Sequence, residues 1–231
     1  MTDSVAPALV LDREEPVRIE ITVDTAQPLG APLIADVERL CDRIEEAGGA
    51  AVALLHLTGG ALAEWPGGPG IHVVNKWERA LRRLERSAAV TIALVDGPVV
   101  GGALEILLVC DQRIAAPGAT VTLPGTGGAW PGMALYRLAN QIGAVAARRL
   151  TLFGADLSAE QARALHIIDE VTADPTARAA ELLGARPVDG AELAIRRRLL
   201  LDAVNTSFEE ALGVHLAACD RTLRASAGEP R

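Results

Sequence analysis

The stretch VTIALVDGPVVGGALEILLVCD, residues 90–111, constrains this chain more than any other. Its β-branched apolar start reads as a buried strand that ends at Gly97. A turn follows, and a helix opens near Gly101 or Gly102. That helix is apolar on both sides, which puts it in the middle of a domain. Its first turn carries one carboxylate, Glu105. A helix start presents unpaired N–H groups and a partial positive charge. Glycine lets another group approach such a backbone closely. The arrangement suits an anion or a developing oxyanion beside one acid/base group. A purely structural reading stands next to it, in which the glycines permit close packing and Glu105 satisfies the helix start.

The surrounding segments set the fold class. VRIEITV (17–23) reads as a strand, 32–49 as an amphipathic helix closed by glycine, and AVALLHL (51–57) as a buried strand. Residues 58–70 are rich in Gly and Pro and form a loop; 72–87 is a second amphipathic helix. IAA (114–116) and ATVTLP (119–124) add strand pieces. From residue 133 the chain reads as mostly helix, with breaks near Gly154, Ile168, Gly184 and Gly190. Strands alternating with helices predict an α/β fold with βαβ crossovers. PGTGG (124–128) has the glycines of a phosphate loop, but no Lys-Ser or Lys-Thr follows.

Composition excludes several classes. Of 231 residues half are hydrophobic, enough for a sizeable core, and the formal net charge of −8 speaks against a nucleic-acid surface. No apolar run reaches membrane-spanning length, and the N-terminus lacks the basic start and apolar centre of a signal peptide. A cytoplasmic protein is the expectation. Cys41, Cys110 and Cys219 are far apart in apolar surroundings and read as buried, reduced thiols. The four histidines fall at no metal-ligand spacing, so no metal site is expected.

The stretch 88–124, AAVTIALVDGPVVGGALEILLVCDQRIAAPGATVTLP, resembles the signature of the crotonase (enoyl-CoA hydratase/isomerase) superfamily. The segment LANQIGAVAARRLTLFGADLSAEQARALHIIDEV (138–171) is similar to the family's later helical part. The resemblance implies a spiral of ββα units over residues 1–175 and a C-terminal helical trimerisation region over 176–231. It implies an acyl-CoA thioester substrate, with no cofactor beyond the CoA that the substrate carries. It also implies an oxyanion hole of two backbone N–H groups that stabilises the thioester enolate. Gly102 falls at the second of these donors, next to Gly101, and Glu105 at the first of the two catalytic glutamates of hydratases.

Two departures matter. The family's second glutamate follows a proline; here Pro124 is followed by Gly125, which leaves space in the substrate pocket instead of a carboxylate. The first oxyanion loop is replaced by AEWPGGPGIH (63–72), and an ungapped match puts Pro69, which has no N–H, at the donor. Either Gly68 or Gly70 supplies the donor, or this half of the hole is altered. Over its whole length the chain most resembles the hydratase-like B components of the pathway that makes 3,5-dihydroxyphenylacetyl-CoA for dihydroxyphenylglycine. That likeness implies dehydration and aromatisation of a polyketidyl-CoA beside a type III polyketide synthase, by a homotrimer or hexamer. A general enoyl-CoA hydratase or isomerase, and a non-catalytic accessory protein that binds the synthase or its product, are the alternatives.

Further residues carry two readings each. Trp65 and Trp130 either pack or line the acyl pocket. Asp111 and Arg113 read as a structural ion pair. Arg196, Arg197 and Arg198 read as a solvated helix face, with CoA phosphates as the other reading. Tyr136 is the lone tyrosine and a weaker substrate contact.

Overall fold

The structure, a computed structural model, describes residues 17–24, 26–48, 51–58, 65–123, 132–185 and 190–226. The apolar runs become strands β1 (Val17–Asp24), β2 (Ala51–Thr58) and β3 (Val90–Val95). With β5 (Gln112–Ala115) and β8 (Glu170–Val171) they make a parallel sheet in the order β1-β2-β3-β5-β8. All six residues of β3 are buried, because both faces of the sheet are covered. Helices α1 (Ala31–Ala47) and α2 (Ile71–Glu85) cover one face, packing on Ala53, Leu55, Ala93 and Val95. Helix α7 (Pro175–Ala185) and the start of α8 (Gly190–Ala203) cover the other, against Leu54, Ile92, Leu94 and Ile114. Edge strand β1 alternates instead, with Ile19 and Val23 turned inward.

Helix α2 shows why the sequence places its indole inside. Trp77, Ala80, Leu81 and Leu84 recur at helical spacing and form its buried stripe. A small second sheet supports the centre: β4 (Pro98–Val99) runs parallel to β6 (Thr120–Leu123), which pairs antiparallel with β7 (Ala155–Ser158). Between the two sheets the chain forms α3 (Gly102–Leu107), whose six residues are all buried. Helices α4 (Ala134–Ile142), α5 (Ala144–Thr151), α6 (Ala159–Ala164) and α9 (Phe208–Ser226) complete the chain order. Ser158 and Gln161 close a capping box at the start of α6.

Several expectations are corrected. Strands β7 and β8 lie in the part read as mostly helical; ADLS and EV are too short to show a period. The break expected near Gly184 is present, since α7 ends at Ala185. Cys41 and Cys110 are buried, but Cys219 is exposed on α9. The guanidinium of Arg197 grips both oxygens of Asp111 at 2.6 Å. It also donates to the carbonyls of Glu85, Ser87 and Ala89, which anchors α8 to the core. Arg113 is therefore not the partner of Asp111. Its guanidinium donates to Gln141 Oε1 at 2.8 Å and to the carbonyl of Leu108. Burial drives the Arg113 pKa down. Arg196 and Arg198 are the solvated members of the arginine run; they pair with Glu192 and Asp202.

Candidate active site

The site forms where β3 gives way to α3. Gly101 precedes the helix at φ +56°, a left-handed conformation that L side chains resist. Its carbonyl accepts from the Glu105 N–H at 3.1 Å, which places Glu105 on the first turn, as its spacing predicts. The Glu105 side chain is 2% exposed. A buried carboxylate needs a partner, and α2 supplies one: the fully buried Trp77 donates its indole N–H to Glu105 Oε2.

A second indole lies over the glycines. A Cβ added at Gly101 would sit 2.6 Å from Cγ of Trp65, and one at Gly102 would sit 3.0 Å from its Cη2 and 3.3 Å from Leu33 Cδ2. Alanine at Gly101 would collide with the ring and strain the turn, so glycine is required there by close approach and by conformation; at Gly102 an added methyl would press on the ring, which would have to shift by a few tenths of an ångström. Trp65 meets Trp77 edge to face, with ring centroids 6.4 Å apart. Its loop is tied to the turn before α1 by the Leu29 N–H, which donates to the carbonyl of Pro66 at 3.0 Å. Trp65, Gly101, Gly102, Trp77 and Glu105 thus form one cluster.

The other expected residues fall as follows. Gly68, at φ +141°, and Gly70, which precedes α2, are exposed, and a Cβ on either would meet no atom within 4 Å. They lie on the open side of the loop that carries Trp65. Gly125 and Trp130 lie outside the described residues. Tyr136 is exposed on α4, where Asn205 Nδ2 donates to its hydroxyl at 3.4 Å. A cavity of about 740 Å³ runs from Ile71 along α2 to Tyr136 and Arg137; its lining does not include Glu105. The acid/base candidate is therefore closed off in this conformation. Sequence reasoning missed Trp77. The signal was available: a tryptophan in a buried helical stripe needs an acceptor for its N–H, and few carboxylates lie in apolar sequence.

Comparison with known proteins decides the family. The enoyl-CoA hydratase/isomerase family matches residues 71–226. The chain belongs to that family. It is 44% identical over 209 residues to an enoyl-CoA-hydratase of Amycolatopsis orientalis, spanning 90% of this chain and 96% of the relative. It is also 34% identical over 110 residues to a (3,5-dihydroxyphenyl)acetyl-CoA 1,2-dioxygenase of the same organism, which covers 47% of this chain and 25% of that one. The fold agrees: an enoyl-CoA hydratase from Mycobacterium smegmatis superposes with a TM-score of 0.74 at 20% identity, covering 98% of this chain and 99% of the other. The two sheets, central α3 and trailing helices are thus the crotonase fold, and the protein is an enoyl-CoA hydratase-like enzyme of that superfamily.

Proposed function

We propose that this protein dehydrates a cyclised polyketidyl-CoA on the way to 3,5-dihydroxyphenylacetyl-CoA, in company with a type III polyketide synthase. The observation that carries the reading is Glu105, a buried carboxylate on the first turn of α3, three residues beyond Gly102 and held by the Trp77 N–H. Gly125 stands where a hydratase keeps its second glutamate. The 44% identity to a hydratase and the weaker likeness to a dioxygenase named for this thioester support the choice of substrate.

The chemistry needs one acid/base group. The Glu105 carboxylate takes a proton from the carbon next to the thioester carbonyl. The Gly102 N–H accommodates the resulting enolate oxygen, with Gly68 or Gly70 as the other donor. The enolate then reforms the carbonyl and expels the β-hydroxyl, to which Glu105 returns its proton, so water leaves and the carboxylate is regenerated. Hydration of an alkene must both activate water and deliver a proton, which explains two carboxylates in ordinary hydratases. Loss of water toward an aromatic ring is driven by the ring that forms, and one carboxylate suffices.

On the same reading the enzyme needs no cofactor beyond the substrate's CoA, works in the cytoplasm, and assembles as a trimer or a pair of trimers through residues 176–231. Among the described residues no helix is long and apolar enough to cross a membrane. The test is to incubate the synthase with malonyl-CoA, with and without this protein. The yield of 3,5-dihydroxyphenylacetyl-CoA should rise several-fold in its presence. An unchanged product spectrum would overturn the dehydratase reading.

A further inference from the structure

Trp65 lies against the two glycines that, on the reading above, receive the acyl group. Its five-membered ring meets Gly101, and the far edge of its six-membered ring meets Gly102. An oxyanion donor works only when the substrate oxygen comes within about 3 Å of its N–H. Glu105 likewise must touch substrate, yet it is 2% exposed. Some group must therefore move before reaction. Trp77 is fully buried and bonded to Glu105. Trp65 is only half-buried, and its Nε1 is sealed from solvent with no hydrogen-bond partner among the described residues. Of the two rings, Trp65 is the one less tightly held.

We propose that Trp65 is a specificity-determining residue that occupies the acyl slot and yields it to a planar, ring-bearing acyl group. The volume it fills is that of a flat aromatic ring, bounded by Gly101, Gly102 and Trp77. A flat ring can replace the indole contact for contact; a linear chain leaves part of the slot empty. The preferred substrates are thus CoA thioesters of cyclic, planar acids. The inference rests on the CoA-thioester reading of the site, and it assigns Trp65 a role that packing alone would not.

Calorimetric titration separates the two. Phenylacetyl-CoA, hexanoyl-CoA and CoA are each titrated into the wild type, Trp65→Ala and Trp65→Phe. If the slot stands open about one tenth of the time, emptying it tightens ring binding about tenfold. Trp65→Ala should therefore bind phenylacetyl-CoA and hexanoyl-CoA each about tenfold more tightly than wild type, with phenylacetyl-CoA the tighter ligand throughout, and leave CoA unchanged. Trp65→Phe, which keeps most of the packing and guards against misfolding of the alanine variant, should gain an intermediate amount. Unchanged or weaker phenylacetyl-CoA binding in a folded variant would overturn the proposal while leaving the thioester reading intact. If no thioester binds better than CoA to any of the three proteins, the acyl-site reading falls and the slot with it.

Discussion

At the scale of single residues, the Trp77–Glu105 bond is the feature on which the site turns. Trp77→Phe removes one donor from a buried carboxyl group, a loss of about 1–3 kcal/mol. Denaturant unfolding should show that loss in the wild type and a smaller one on a Glu105→Leu background, where no charge remains to satisfy. Equal losses in both backgrounds would reduce the bond to packing. The thiols give a second test at this scale. Burial pushes the Cys41 thiol up to about 11 and the Cys110 thiol up to about 12. At pH 8 about one molecule in a thousand, or fewer, carries either thiolate, and reactivity should climb as pH rises toward those values. Alkylation of the native protein at pH 8, mapped by mass spectrometry, should mark Cys219 and spare the other two; rapid marking of Cys110 would contradict the fold around α3.

At the scale of elements, one arginine ties α8 to the core through five hydrogen bonds. Arg197 and Asp111 are 10% and 17% exposed, and the pair also engages the chain between α2 and β3. Removing the arginine leaves the largely buried Asp111 with only the Thr91 N–H and hydroxyl as donors among the described residues, and breaking a buried pair from one side costs roughly 3 kcal/mol. Arg197→Met should lower stability by about that amount, whereas adding Asp111→Asn should restore part of it. Fully additive losses would mean that the two side chains do not act as a unit. How elements were legible follows the same logic. Helices α1 and α2 end within two residues of their predicted limits, because stripes such as Trp77, Ala80, Leu81 and Leu84 repeat over several turns. The strands β7 and β8 are four and two residues long and were invisible, since pairing partners distant in sequence define them. The Asp111–Arg197 link crosses 86 residues, so no local spacing announced it.

At the scale of the whole molecule, the family, the turn at Gly101 and the place of Glu105 were readable, because a long contiguous signature carries them. The lid-like position of Trp65 was not, because it depends on how the 65–70 loop folds back on α1 and α3. The outer face of the C-terminal helices exposes Leu200, Val204, Phe208, Leu216 and Leu223, a surface that usually meets a partner. Light scattering at micromolar concentration should find a trimer or hexamer; a stable monomer would contradict the proposed assembly. The central claim is that one carboxylate does the proton work of this enzyme. Glu105→Gln, nearly isosteric and unable to exchange a proton near neutral pH, tests it in the synthase-coupled assay alongside a thermal melt and CoA binding. An acid/base role for Glu105 predicts an unchanged melt, unchanged CoA affinity, and a loss of about a hundredfold or more in the protein's effect on 3,5-dihydroxyphenylacetyl-CoA formation. Full activity in a normally folded Glu105→Gln protein would contradict it.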